Sequence, residues 1–130
     1  MRLRVLVIDD ELAVVEMVQM ALRFGGYDAQ GASSLAGGVL LARDYSPDLI
    51  LLDNHFPEGH GDEIVPQLAQ ACPDAPIVMV TANERDAHVA NATRLGAREV
   101  VCKPFGLDEL LSVVRRHCGA AQGSAISSVA

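Results

Sequence analysis

Apolar residues fall into four short runs, at 3–8, 49–52, 77–80 and 100–102, and apart from Arg4 in the first they are continuous rather than alternating. That is the pattern of strands buried on both faces of a parallel sheet. A weaker fifth strand fits 27–32, introduced by Gly25-Gly26, which would end the preceding helix and open the turn.

Between the runs the spacing becomes helical. Val14, Met17, Val18, Ala21 and Leu22 form an i, i+3, i+4, i+7, i+8 stripe, a first helix packed on the sheet. Leu35, Val39 and Leu40 after a Ser33-Ser34 cap predict helix two, and Leu107, Leu110, Leu111 and Val114 predict helix five. Helix three, over 62–71, contains Pro66, which lacks a donor that only the first turn can spare, so a late start or a local distortion is expected. Helix four, over 84–95, has few large apolar residues and polar ones at Arg85, Asp86, His88, Asn91 and Arg94. Weak packing makes it the candidate moving element.

Strands alternating with helices imply right-handed crossovers and an α/β doubly wound five-stranded parallel sheet, most simply in the order 2-1-3-4-5. The strand C-termini then share one edge, with a switch point between strands one and three. Residues 1–118 make one domain; 119–130 have the composition of a tail or a linker stub.

Composition narrows the field. A chain of 130 residues buries enough surface to fold without staples. Cys72, Cys102 and Cys118 are odd in number and lack a CxxC spacing, which favours three small buried hydrophobes in a reducing compartment. No run approaches the length of a membrane span and no signal segment is visible, so the expected location is cytoplasmic. A net charge of −7 argues against direct nucleic-acid binding. The short cluster Arg115-Arg116-His117 reads as a solvated helix C-terminus.

The candidate chemistry lies at the strand ends. Asp9 and Asp10 follow the first run, Asp53 closes the third strand, Thr81 the fourth, and Lys103-Pro104 follows the fifth. An Asp-Asp pair is often a helix cap and a lone Thr a turn residue. Capping alone does not explain this ordered set at four strand ends. Three carboxylates brought together repel by about 4 kcal/mol per close pair at an effective dielectric near 20. They need a proton, a partner or a cation; Lys103 neutralises one unit, and hard oxygen ligands suit Mg2+ or Mn2+, which commonly recruit phosphate oxygens. An Asp carboxylate can then be the nucleophile for a phosphoryl group, and Asp53 is the best candidate. The transition-state charge spreads over three equatorial oxygens, which the metal on Asp9 and Asp10, Lys103, and Thr81 with the Ala82 N–H would serve one each. His55 and His60 flank the Pro57 loop without a ligand signature, and His88 and His117 fall on predicted helix surfaces.

Over residues 3–118 the chain resembles the receiver domain of two-component response regulators, of the CheY-like superfamily, which implies a flavodoxin-like fold. The residues that carry the likeness are Asp9-Asp10-Glu11, Asp53 with Pro57 and Gly61, Thr81-Ala82 and Lys103-Pro104-Phe105. The resemblance implies that Asp53 accepts a phosphoryl group from a phosphohistidine on a sensor histidine kinase or phosphotransfer protein. It implies Mg2+ held by Asp10, Asp53 and the backbone carbonyl of His55, with Asp9 acting through a metal-bound water. It further implies that Thr81 moves toward the phosphate, Lys103 pairs with it, and the surface of helix four, strand five and helix five is repacked to control an output domain, a partner or a homodimer. Arg94, Leu95, Arg98 and Val101 are placed on that surface. The domain would be a signalling phosphoacceptor rather than an enzyme acting on a separate substrate.

Two departures follow. Val100 stands where the family usually carries Tyr or Phe, and a valine cannot swing between buried and exposed positions. His55 and Asn83 occupy the positions that, in the family this chain resembles, help set phosphoryl lifetime by controlling water access. The rival reading is a pseudo-receiver, an interaction module not switched by phosphate. A haloacid-dehalogenase-type phosphatase needs a second Asp two residues after the nucleophile, where this chain has His55, and a flavin binder needs a phosphate loop after strand one that is absent.

Overall fold

The computed structural model describes residues 2–119. Five parallel strands, β1 (Arg4–Ile8), β2 (Asp28–Ala32), β3 (Leu49–Asp53), β4 (Ile77–Thr81) and β5 (Glu99–Cys102), form one sheet in the order β2-β1-β3-β4-β5. Val5 pairs with Leu49, Ile50 with Ile77 and Val78 with Glu99, so the ends carrying Asp9, Asp53 and Thr81 come level. Every residue of β3 and β4 is buried, as their unbroken apolar runs require.

Two cores explain that burial. Leu6, Ile8, Ile50, Leu52 and Met79 face α2 (Leu35–Tyr45), α3 (Val65–Ala71) and α4 (Ala87–Leu95), meeting Val39, Leu68 and Ala92. Val5, Val7, Leu49, Leu51, Val78 and Val80 face α1 (Leu12–Phe24) and α5 (Leu107–Cys118), meeting Val18, Leu22, Leu110 and Val114. Alternate residues of each strand thus serve opposite cores. Among the described residues no helix is long and apolar enough to cross a membrane.

The caps follow the sequence. Ser34 accepts the Gly37 N–H at 3.0 Å to start α2. Phe24 ends α1, and Gly26, at φ 94°, makes the left-handed turn into β2. Helix three starts late, as Pro66 demands: a 3-10 turn (Gly61–Ile64) precedes it and the proline sits in its first turn.

Several expectations are corrected. Met17, Leu40 and Leu107, assigned to buried stripes, are exposed, and Val15 and Val113 are buried instead. Runs of adjacent apolar residues leave the helix phase open, and the packing surface chose it. Helix four begins at Ala87 rather than at residue 84, because Asp86 accepts the His88 N–H at 2.8 Å and caps it there. Cys102 is exposed and Cys118 half-buried; only Cys72 is a buried small hydrophobe. Val101 lies under α5 in the core rather than on the outer surface, whereas Arg94 and Arg98 are exposed and Leu95 is half-buried. His117 is mostly covered, and with Arg116 it holds Glu99 of β5 through contacts of 2.6 and 2.5 Å. Arg116 and His117 therefore tie α5 to the sheet edge, while Arg115 is exposed in the last turn as a solvated helix C-terminus requires. A two-residue hairpin pairing His55–Phe56 with Gly59–His60 follows β3, too short to leave a sequence pattern.

Candidate functional site

The level strand ends gather the carboxylates. Oxygens of Asp9, Asp10 and Asp53 all lie within 4.8 Å of one another. Asp9 and Asp53 are buried, and Asp10 is the most open of the three. None caps α1 as its first residue: Glu11 holds that position without a side-chain bond, and its N–H donates to Asp9 Oδ1 at 3.0 Å. That bond orients Asp9 inward.

Lys103 follows β5, and its backbone N–H donates to the Thr81 carbonyl at 2.7 Å, which prolongs the β4–β5 pairing past the sheet edge. The Lys103–Pro104 peptide is cis. The ammonium reaches Asp9 Oδ2 at 2.7 Å and Asp53 Oδ1 at 3.6 Å. One positive charge thus faces three negative ones. Burial works against the ammonium, but its hydrogen bond to Asp9 and the Asp53 charge outweigh that and raise its pKa.

Asp53 bears the excess. Burial and the neighbouring Asp9 push its carboxyl up to about 6, while Lys103 and the Asn54 N–H, donating to Oδ1 at 2.8 Å, pull it down. A proton is the simplest relief; a divalent cation is the other. The donor set fits the second: three carboxylates, no sulfur and no imidazole, which is the hard-oxygen environment of Mg2+, Mn2+ or Ca2+.

Gly61 shapes the loop beside Asp53. Its N–H donates to the Asn54 carbonyl at 2.8 Å, and a Cβ there would stand 2.2 Å from the Asp53 carbonyl oxygen. The glycine lets the 3-10 turn close against the strand end.

Thr81 is fully buried at the end of β4, and its hydroxyl is engaged in a local turn, donating to the Asn83 carbonyl at 3.2 Å and accepting the Asn83 N–H at 3.1 Å. The turn role that a lone Thr commonly plays is thus real here. Ala82 and Asn83 are exposed beside it, and Asn83 Oδ1 accepts the Arg85 N–H at 3.1 Å. Val100 is half-buried, packed against the core under α4. His55 is exposed, with Nε2 3.6 Å from Asp86. The structure therefore brings Asp9, Asp10, Asp53 and Lys103 into one cluster. Asp62 and its partners on α4 leave no signal in the sequence, because an acid after Gly61 reads as an ordinary helix-start residue.

Comparison with known proteins agrees with this geometry. The family model for the response regulator receiver domain matches residues 5–115. The transcriptional regulatory protein KdpE of Mycobacterium tuberculosis is 34% identical over 122 residues, covering 91% of this chain and 54% of the relative. The chain thus spans about half the length of that relative. Among solved structures, the chemotaxis protein CheY4 of Vibrio cholerae superposes with a TM-score of 0.84 at 25% identity, covering 90% of this chain and 99% of that one. A response regulator from Burkholderia pseudomallei, with a phosphorylated aspartic acid and a calcium ion, superposes with a TM-score of 0.79 at 23% identity, covering 97% and 71%. By its sequence match, its strand order and the acids gathered at its sheet edge, the chain belongs to the response regulator receiver domain family of two-component systems.

Proposed function

We propose that Asp53 is the phosphoacceptor of this receiver domain, taking a phosphoryl group from a phosphohistidine on a sensor kinase or phosphotransfer protein. The observation that carries the reading is the carboxyl at the end of β3, raised by Asp9 and burial and faced by one ammonium. An Asp53 carboxylate oxygen forms the bond to phosphorus as the N–P bond breaks, and the imidazole leaves with the electron pair and takes up a proton. The phosphorylated aspartic acid of the Burkholderia regulator supports the same chemistry here.

Asp10 and Asp53, with the His55 carbonyl, would hold Mg2+, and Asp9 would act through a bound water. The ion would supply charge neutralisation for the acids and for an incoming phosphoryl oxygen. Lys103 is close enough to turn from Asp9 toward an oxygen on Asp53. Thr81 would leave its turn with Asn83 to donate to a second oxygen, with the Ala82 N–H on a third. His55 and Asn83, exposed on either side, would set how readily water reaches the phosphorus and hence the lifetime. Hydrolysis returns Asp53 and inorganic phosphate; the domain acts only on its own phosphoryl group.

The Thr81 turn leads directly into Asp86, the cap of α4. Movement of Thr81 would displace the start of α4, and the output surface would be α4, β5 and α5. A groove along β5 and α5 is lined by Glu84, Glu99, Val100, Cys102, Glu109 and Arg116. An output domain, a separate partner or a second copy would dock on it, from residues 1–118 as the regulatory unit. Labelling with a small phosphodonor such as acetyl phosphate and Mg2+ tests the reading: acid-stable, base-labile phosphate on the wild type and none on Asp53→Asn supports it, and equal labelling of both sinks it.

A further inference from the structure

One further buried carboxylate sits outside the cluster of Asp9, Asp10 and Asp53 and is unused by the chemistry above. Asp62, in the 3-10 turn after Gly61, is 4% exposed. A carboxylate buried this deeply must be hydrogen-bonded, and both its partners come from α4. His88 Nδ1 stands 3.1 Å from each carboxylate oxygen, and Asn91 Nδ2 donates to Oδ2 at 2.8 Å. The carboxylate only accepts, so Nδ1 carries the imidazole proton. Arg94 donates to Asn91 Oδ1 and so fixes which end of the amide faces Asp62. On its outer side the His88 ring stacks on His60, with centroids 3.6 Å apart and planes 5° from parallel. His60 in turn meets the edge of His55, at 5.3 Å. The near-parallel rings keep their in-plane lone pairs from converging on one point, so the His60–His88 pair packs and hydrogen-bonds rather than chelates.

α4 has little else to hold it. Only Val89 and Ala92 are buried along its length, and its cap, Asp86, belongs to the turn that Thr81 organises. We propose that Asp62, His88 and Asn91 form a latch that fastens α4 to the loop following the phosphoacceptor strand, and that opening this latch is part of the cost of the switch. The inference rests on the phosphoacceptor reading for its second half only. It also supplies what Val100 lacks, a specific contact that differs between held and released α4.

The test uses the full chain with Asp62→Leu, which removes the acceptor and leaves an apolar side chain, and separately the double variant His88→Ala/Asn91→Ala, whose changed residues are at least partly open to solvent. Hydrogen exchange of the α4 amides is read without ligand, with α2 as the internal reference. The latch predicts exchange about tenfold faster or more along α4 in both variants and unchanged in α2, the range one charge-assisted hydrogen bond supports. Equal α4 exchange in wild type and the double variant, whether or not Asp62→Leu folds, overturns it. Beryllofluoride with Mg2+ reads the second half: affinity at least several-fold tighter in the double variant supports it, and unchanged affinity overturns the link to switching. Absence of beryllofluoride binding in the wild type would defeat the phosphoacceptor reading and with it this second half, while the exchange comparison still decides the latch.

Discussion

The Lys103 ammonium is nearer to Asp9 Oδ2, at 2.7 Å, than to Asp53 Oδ1, at 3.6 Å. The lysine therefore neutralises Asp9 first and leaves Asp53, the proposed phosphoacceptor, short of a partner. Removing it should expose that imbalance. Lys103→Met strands the buried Asp9 carboxylate and should cost about 3 kcal/mol of stability at neutral pH in chelator. Part of that loss should return on adding Mg2+. Urea unfolding with and without the ion measures both, and a variant as stable as wild type in chelator would contradict this account of the cluster.

The raised Asp53 carboxyl has a pH signature. Its ordinary value is 3.8 and the folded value is about 6. Between those values the metal-free folded protein keeps a proton that the unfolded chain has released, so this group makes stability fall as pH rises through the window, by at most about 3 kcal/mol. Asp53→Asn removes the effect. Its thermal midpoint in chelator should exceed that of wild type by several degrees at pH 7, with the gap closing toward pH 4. Melts at the two pH values decide it; a gap independent of pH would mean that Asp53 is not the strained acid.

Gly61 should tolerate no side chain. A Cβ 2.2 Å from the Asp53 carbonyl oxygen forces the strand end or the 3-10 turn to move. Gly61→Ala should lose about 2 kcal/mol and bind beryllofluoride more weakly, whereas Gly106→Ala, with nothing within 4 Å of its Cβ, should stay within about 0.5 kcal/mol of wild type. Denaturant midpoints for the pair check the contrast.

The three cysteines should separate by reactivity. Cys102 is exposed; Cys72 is buried, its thiol pKa raised by burial, with Sγ 3.3 Å from the Ala42 carbonyl; burial and Asp48 push Cys118 up to about 11. Iodoacetamide at mild alkaline pH, followed by peptide mass spectrometry, should modify Cys102 first by a wide margin. Equal rates would show that α5 does not hold Cys118 as described.

These contrasts also mark what the chain announced and what it withheld. The sheet was legible because strands covered on both faces leave unbroken apolar runs, and the site because its acids and lysine end or directly follow those strands. Pro66 announced the late helix three for a plain stereochemical reason. Helix faces were less readable: Val14-Val15 and Met17-Val18 offer two phases, and only contact with the sheet selects Val15 and Val18 over Met17. The start of α4 was hidden because Glu84 and Arg85 are good helix formers, yet Asp86 caps the chain after them. Asp62 was unreadable: nothing local distinguishes a buried acceptor for His88 and Asn91, 26 and 29 residues away, from a solvated acid at a helix start.

Amide NMR of the wild type and Asp53→Asn, each titrated with beryllofluoride and Mg2+, tests the central claim most directly. The account predicts shifts in the wild type that begin at Asp53, include Thr81 and Lys103, and continue into α4 from Asp86, with none of them in the variant. Identical spectra for the two proteins, or no response in the wild type, would contradict it and leave the pseudo-receiver reading in its place.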